Sequence, residues 1–237
     1  MIPSRARRAI AALLFFILLV GRMPLLGQEA SVKEERVTFK TYPFSDPDPS
    51  PLIGPIYPYF RFQGFSLEGR PQDWKMVRLE NSYVKVLVAP EIGGKVWGAV
   101  EKSTGKEFLY WNPVVKFREI AMRGPWTSGG IELNFGIIGH APTTATPVDY
   151  VIQENSDGSV SCVVGAVDLP SRTIWRVNVR LPKDAAYFET ECFWYNPTSL
   201  HDSLYNWLTS AQDAGDDLKF FYPGTHHIGH GGDAHPW

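Results

Sequence analysis

The 237-residue chain is 44% hydrophobic and 20% charged, values that are typical of a globular domain with a real core. Its formal net charge of −2 gives no electrostatic basis for binding nucleic acid or an anionic membrane surface, so we expect no nucleic-acid partner. Aromatic residues make up 14% of the chain, and 19 prolines and 21 glycines imply many turns, so the composition favours short strands over long helices.

Residues 1–30 have the organisation of a signal peptide. Three arginines precede the uncharged apolar segment Ile10–Val20, which is short for a membrane span, and Gly27–Ala30 is a suitable processing region. We therefore predict an exported protein, periplasmic or secreted, with no stable membrane span after cleavage. The alternative is an uncleaved N-terminal anchor, because Met23–Leu26 prolong the apolar character.

The rest of the chain is predicted to consist of short strands. An alternating strand at Val37–Tyr42 is followed by six prolines between Pro43 and Tyr59, which indicate an irregular surface segment whose aromatic residues either pin it onto a sheet or line a groove. Further strands are predicted at residues 75–79, 83–88, 95–100, 108–111, 131–135, 148–153, 159–167, 172–180, 187–195 and 204–211. Turn-forming residues separate most of them, which predicts an all-β fold, a large antiparallel β-sandwich.

The predicted organisation has three parts. They are the signal peptide at 1–30, an N-terminal strand with the Pro-rich segment at 31–74, and the sandwich domain at 75–237. The Gly/His-rich segment 220–237 has no closing strand after it, which leads us to expect that the domain is incomplete at its C-terminus, since unpaired sheet edges are unfavourable.

Cys162 and Cys192 are the two cysteines, and both fall inside predicted strands. Export permits a disulfide between them, and the alternative is two buried thiols that act as small hydrophobic groups.

The segment Gly129–Gly136 is the most informative part of the chain. Alternation of apolar residues from Ile131 to Phe135 places Glu132 and Asn134 on the opposite face of a short strand, and His140 follows in a turn-prone sequence. A carboxylate, a carboxamide and a histidine close to aromatic side chains are typical of a sugar-binding site. We therefore predict Glu132 and His140 as catalytic residues.

Each of these residues also has a simpler interpretation. Glu132 is predicted as a general base or glycosidase carboxylate, and the alternative is a solvated glutamate on an edge strand. His140 has suitable acid–base chemistry, and the alternative is a structural histidine. A glycosidase needs a second carboxylate about 5–10 Å away. The possible partners are Glu119, Asp149, Glu189, Glu191, Asp213 and Asp233.

Polar and aromatic residues elsewhere are predicted to contact the ligand. An arginine can bind a carboxylate or a pair of hydroxyls and a tryptophan can stack on a pyranose ring, although a surface arginine beside a core tryptophan is the alternative. The predicted substrate-binding residues are Arg123, Trp126, Asn134, Asp149, Asn206, Trp207, His226 and His230. No cofactor or metal is predicted, because the Gly-rich spacing matches no standard zinc motif; a divalent metal near His226, His230 and Asp233 is the alternative.

Several of these segments resemble known families. Leu79–Val96, followed by Thr104–Glu107, resembles the opening of the galactose mutarotase-like superfamily. Gly129–Phe135, with Gly139–Thr144 and Pro147–Tyr150, resembles an uncharacterised bacterial family, domain of unknown function 5107, which is often fused to tetratricopeptide repeats. The resemblance covers about residues 75–237.

The resemblance implies a β-supersandwich whose concave face binds sugars. Members of the superfamily include aldose epimerases, lyases and sandwich domains of glycoside hydrolases, and in mutarotases a glutamate base and a histidine acid work across the sugar ring. Glu132 and His140 are similar in type, without a position-by-position match. The expected function is a glycoside hydrolase or sugar epimerase with Glu132 as catalytic carboxylate; the alternative is a non-catalytic carbohydrate-binding or scaffold domain of a polysaccharide-utilisation system. The oligomeric state is left open.

Overall fold

A computed structural model of the chain describes residues 29–54, 56–120, 123–136, 138–203 and 205–237. The signal peptide predicted at residues 1–30 lies outside the described residues except for its last two positions. The described part of the chain contains no helix with the length and apolar character that a membrane span requires.

The described residues form sixteen strands and one short 3-10 turn at Pro142–Ala145. The strands are β1 (Ser31–Tyr42), β2 (Arg70–Glu80), β3 (Val84–Ala89), β4 (Lys95–Glu101), β5 (Lys106–Leu109), β6 (Val114–Lys116), β7 (Arg118–Glu119), β8 (Pro125–Trp126), β9 (Ile131–Gly136), β10 (Asp149–Glu154), β11 (Val160–Asp168), β12 (Thr173–Leu181), β13 (Glu189–Tyr195), β14 (Tyr205–Ser210), β15 (His226–Ile228) and β16 (Ala234–Pro236). The predicted all-β class is confirmed.

Two sheets contain most of these strands. The large sheet has the order β14-β9-β4-β3-β2-β1-β6, with β5 paired to β4, and the small sheet has the order β10-β11-β12-β13. Neighbours are antiparallel except for β1 and β6, which pair in parallel. The strands β7 and β8, and likewise β15 and β16, form separate two-stranded ribbons.

The two sheets pack face to face around one apolar core. Alternate residues of β9, including Leu133 and Phe135, meet inward residues of the small sheet such as Trp175 and Val177. The rings of Phe135 and Trp175 stack with centroids 5.0 Å apart, which is a favourable aromatic arrangement in a buried interface. This packing confirms the predicted sandwich.

The opposite face of the large sheet is buried as well. Phe39, Trp97 and Val115 belong to a second apolar cluster there, and Phe44 from the Pro-rich segment packs at its margin. Phe44 also contacts Phe117 with ring centroids 6.3 Å apart, so this aromatic residue pins the irregular segment onto the sheet. The part of this second face around Phe39, Trp97 and Val115 is therefore buried, even though it points away from the small sheet.

The N-terminal strand is an integral part of the large sheet. β1 pairs with β2 from Ser31 opposite Glu80 to Thr41 opposite Arg70. The boundary placed between residues 74 and 75 thus falls within β2, and the segments on either side of it share one sheet.

Both cysteines are free thiols; Cys162 is buried, as the second interpretation expects, whereas Cys192 is only half-buried. Cys162 on β11 and Cys192 on β13 are separated by β12, which pairs with both strands. Burial raises the pKa of the Cys162 thiol to about 12, because the apolar interior disfavours the thiolate.

We expect Cys162 to be unreactive towards a thiol reagent until the protein unfolds, because the thiolate is the reactive form and is suppressed by burial. In a Cys192→Ser variant, the folded protein should show no rapidly labelled thiol at pH 8, and one thiol should appear across the urea unfolding transition. Labelling of the folded variant at the rate of the denatured chain would contradict this prediction.

Candidate functional site

The strand β9 lies inside the large sheet between β4 and β14. It is bridged to β4 through Ile131 and Val96, and it pairs with β14 at six positions. Glu132 is only 3% exposed and Asn134 is fully buried, both on the second face of the sheet. The alternative of a solvated glutamate on an edge strand is therefore wrong, and the predicted placement of Glu132 and Asn134 on one face is confirmed.

Gly130 allows β9 to approach β4 closely. Its φ of +61° lies in the left-handed region, and a Cβ built there would lie 1.9 Å from the carbonyl oxygen of Val96. Only glycine satisfies both conditions. The glycine pair before the glutamate thus serves to place Glu132 beside β4.

Glu132 and His140 form a hydrogen-bonded dyad. Oε1 of Glu132 lies 3.0 Å from Nδ1 of His140, and their side chains are 5% and 16% exposed. An ionised carboxylate only accepts hydrogen bonds, so Nδ1 is the donor to an ionised Glu132, and Nε2 is the ring nitrogen that this hydrogen bond leaves unused. The two residues therefore act as one unit, which differs from the arrangement across a sugar ring implied by the resemblance.

The turn that carries His140 is held by two residues predicted to contact the ligand. Arg123 donates a hydrogen bond to the carbonyl oxygen of Gly139, and Oδ1 of Asn134 accepts one from the backbone N–H of Ala141 at 3.3 Å. His140 itself has a φ of +52°, an uncommon conformation for a non-glycine residue. The primary structural role of Arg123 and Asn134 is thus to position the histidine.

Two tryptophans contact the imidazole ring. Trp126 meets it edge to face with ring centroids 6.3 Å apart, and the centroid of Trp207 lies 4.6 Å from that of His140 with the two rings tilted by 57°. Trp207 is 39% exposed, so it forms the outer wall of the site. The structure therefore brings together Trp126, Glu132, His140 and Trp207 as the sequence predicted.

Lys95 is a member of this site that the sequence analysis missed. It is 1% exposed, and its Nζ donates hydrogen bonds to the carbonyl oxygens of Thr127 at 2.9 Å and Ser128 at 3.4 Å. Burial lowers the pKa of Lys95 to about 8, while the negative charge of Glu132 acts in the opposite direction. The available signal was a charged residue in the otherwise apolar strand that follows Gly93-Gly94.

Several buried polar atoms around β9 have no hydrogen-bond partner among the described residues. These atoms belong to four neighbouring elements. The 3-10 turn contacts both β8 and β9, and β9 contacts β14. The atoms are Nε1 of Trp126, Oε2 of Glu132, Nδ2 of Asn134, Oγ1 of Thr143, Oγ1 of Thr144 and Oγ1 of Thr209. Buried polar atoms normally have partners, so this concentration of donors and acceptors is suited to binding a hydroxyl-rich ligand.

Asn206 is a predicted site residue that the structure places elsewhere. It pairs with Phe135, whereas its neighbour Trp207 pairs with Asn134. Paired residues of an antiparallel sheet share a face, so Asn206 points to the face opposite Glu132. The two-residue period of the strand thus places Trp207, and not Asn206, on the face that carries the dyad.

Asp149 is also separate from the dyad. It lies at the start of β10, is exposed and pairs with Gly165 in the small sheet, where it lines a shallow cavity of about 500 Å³. No hydrogen bond or ion pair joins it to Glu132 or His140 among the described residues. The six carboxylates proposed as partners of Glu132 are all exposed.

The C-terminal histidines form a hairpin of their own. His226 on β15 and His230 in the turn after it are exposed, and the ring contacts of this segment are internal, such as His227 stacked on Trp237 at 4.6 Å. Within the described ranges, no group of three or more His, Cys, Asp and Glu side chains is arranged to hold a metal ion. The hairpin thus gives no support to the metal alternative, and neither histidine makes a hydrogen bond or ring contact with the dyad in the described structure.

Comparisons with known proteins agree with the specific part of the resemblance. A solved structure, that of a TPR-domain containing protein from Parabacteroides distasonis, matches with a TM-score of 0.66 and 29% sequence identity. The match covers 73% of this chain and 30% of that chain, so this chain spans less than a third of that protein. The family described as Domain of unknown function (DUF5107) matches residues 51–237, which include β9 and the His140 turn. The chain therefore belongs to the DUF5107 family.

Proposed function

We propose that this protein is carbohydrate-active, with a galactose mutarotase-like sandwich in which the Glu132–His140 dyad transfers a proton to or from a bound sugar. The observation that supports it most directly is a buried carboxylate hydrogen-bonded to an imidazole that contacts two tryptophans. Aromatic rings stack on the apolar faces of sugars, and unpartnered polar atoms nearby can bind the hydroxyls.

The chemistry of the dyad favours general acid–base catalysis. Glu132 fixes the orientation of His140 and the position of its Nδ1 proton, so Nε2 can accept a proton from a substrate. Such a contribution is worth roughly 10²–10⁴-fold in rate. An epimerase-type reaction needs one positioned base and one acid, and the dyad can supply one of these two groups.

A two-carboxylate glycoside hydrolase mechanism has weaker support. The six carboxylates considered as partners are exposed. Asp168 is a further buried carboxylate, but its Oδ2 accepts hydrogen bonds from the backbone N–H and the hydroxyl of Ser171 at 3.1 and 2.6 Å. These hydrogen bonds show that Asp168 stabilises a turn. Among the described residues, Glu132 is therefore the better candidate for a catalytic carboxylate.

We further propose that the protein acts outside the cytoplasm on saccharides of the periplasm or the surroundings. This proposal rests on the N-terminal sequence, where a basic segment precedes an apolar one.

The second candidate is a non-catalytic carbohydrate-binding or scaffold domain. It is favoured by the depth of Glu132, whose side chain is only 5% exposed and therefore offers little surface to a substrate. The similar protein named for its TPR domain is consistent with a part in a larger assembly.

A glycan panel separates the two candidates. Binding is measured by calorimetry, turnover by release of new reducing ends, and epimerase-type activity by NMR detection of anomeric equilibration. A binding domain should bind glycan in calorimetry and form no product. Release of reducing ends or accelerated anomeric equilibration, if it is lost in Glu132→Gln, would identify an enzyme. Absence of binding to every neutral and acidic glycan would contradict the carbohydrate proposal.

We expect Trp207→Ala to weaken glycan binding about two- to tenfold, because a stacking aromatic contributes about 0.5–1.5 kcal/mol. The matched control is Asn206→Ala, which alters the adjacent residue on the opposite face and should leave the dissociation constant unchanged. Equal effects of the two substitutions in calorimetry would show that the face carrying Glu132 is not the binding face.

A further inference from the structure

Lys95 and Glu132 occupy facing positions on two neighbouring strands. Val96 of β4 is bridged to Ile131 of β9 in an antiparallel arrangement, so Lys95 and Glu132 are the next cross-strand pair and share the second face of the sheet. Nζ of Lys95 is hydrogen-bonded to the loop before β9 and not to the carboxylate. The lysine therefore acts on Glu132 through its charge.

The surroundings of Lys95 make that charge effective. The residue is almost fully buried, and interactions between charges are stronger in the protein interior than in water. Among the described residues, the charged or titratable groups of the site besides Lys95 are Glu132 on β9, His140, which is hydrogen-bonded to it, and Arg123, which binds the carbonyl oxygen of Gly139; β14 contributes the uncharged Thr209. Glu132 is the group whose charge acts on Lys95.

We propose that Lys95 is a positioning residue of the site: its buried ammonium group keeps Glu132 ionised, and the ionised Glu132 keeps the proton of His140 on Nδ1. Nε2 then remains free to accept a proton. Removal of the lysine charge favours an additional proton on the dyad, which ends this accepting state whether the proton resides on the carboxylate or on the imidazole. Only the final step, in which Nε2 serves the reaction, rests on the proposed function.

The tautomer of His140 tests this proposal without a ligand. In the ¹⁵N NMR spectrum of the wild-type chain at pH 7, His140 should be a neutral ring protonated at Nδ1. In Lys95→Met, which keeps the length and removes the charge, the pattern should change to an imidazolium or to a ring protonated at Nε2. The assignment comes from the signal lost in His140→Gln. An unchanged tautomer in a folded Lys95→Met protein would overturn the proposal.

The wild-type chain supplies a second measurement in case Lys95→Met does not fold. Lys95 titrates at about pH 8, so the His140 nitrogen signals should show a step near pH 8. In Glu132→Gln the pKa of Lys95 should fall below 8, since the charge that raises it is gone. A wild-type titration without a step near pH 8 contradicts the coupling.

Thr127→Val is the matched control for a purely structural role. Oγ1 of Thr127 is 3.3 Å from Nζ of Lys95, and valine removes this hydrogen-bond acceptor while it keeps the lysine charge. The His140 tautomer should be unchanged in Thr127→Val; a change equal to that in Lys95→Met would indicate a structural role. If the His140 tautomer changes in Lys95→Met but no glycan binds, the carbohydrate proposal fails and the role of Lys95 stands. If glycan binds but the tautomer is unchanged, only the role proposed for Lys95 is rejected.

Discussion

Substitution of Glu132 by glutamine is expected to abolish turnover and to preserve the fold and glycan binding. Glutamine keeps the size of the buried side chain and can still accept a hydrogen bond from His140, but it removes the negative charge that orients and supports the imidazole. The rate should fall by roughly 10²–10⁴-fold, the range of general acid–base catalysis. The measurements are initial rates on the active glycan and the dissociation constant by calorimetry.

Glu191→Gln is the matched control for this substitution. Glu191 lies on β13 of the small sheet and is exposed, so the same chemical change there should leave both rate and affinity unchanged. Turnover that persists in Glu132→Gln at the wild-type rate means that Glu132 is not the catalytic group. A protein that binds glycan but never forms product, even as wild type, supports the non-catalytic alternative.

Gly130→Ala is expected to lower the stability of the protein more than any other substitution proposed above. The new Cβ would lie 1.9 Å from the carbonyl oxygen of Val96 and 2.9 Å from that of Trp97, and backbone atoms cannot move aside as a flexible side chain can. The left-handed φ adds its own strain. We expect the free energy of unfolding, measured by urea denaturation, to fall by about 3 kcal/mol or more, together with loss of glycan binding.

Gly105→Ala separates the clash from the strain. Gly105 also has a positive φ, +70°, but its Cβ would meet no atom within 4 Å. Its substitution should therefore cost about 1 kcal/mol, from backbone conformation alone. Similar losses at the two glycines would mean that close contact between β9 and β4 does not limit stability.

The orientation of β9 could be predicted from the sequence because strand alternation is a local property. Apolar residues at every second position were sufficient to place Glu132 and Asn134 on one face. The same reasoning predicted the strands on either side of the sandwich, since turn-forming residues separate them. It did not predict how deeply Glu132 is buried, because that depends on distant loops and on the second apolar cluster that covers this face.

The remaining parts of the site depend on contacts between segments far apart in sequence. The pairing of β14 with β9 decides that Trp207 and not Asn206 faces the dyad. These two strands are separated in sequence by all four strands of the small sheet, so their register is not a local property. The left-handed turn that returns His140 to Glu132 depends on Arg123. Lys95 was missed since a lysine within a strand is usually solvated, whereas here its hydrogen bonds are made by a loop thirty-two and thirty-three residues later.

The strand order of the large sheet has a consequence for how the site assembles. β9 has a single bridge to β4, formed early in the chain, and six pairs with β14, which the chain reaches only after all four strands of the small sheet. Closing such a long connection has an entropic cost and slows folding. We therefore expect the contact between His140 and Trp207 to form late in folding.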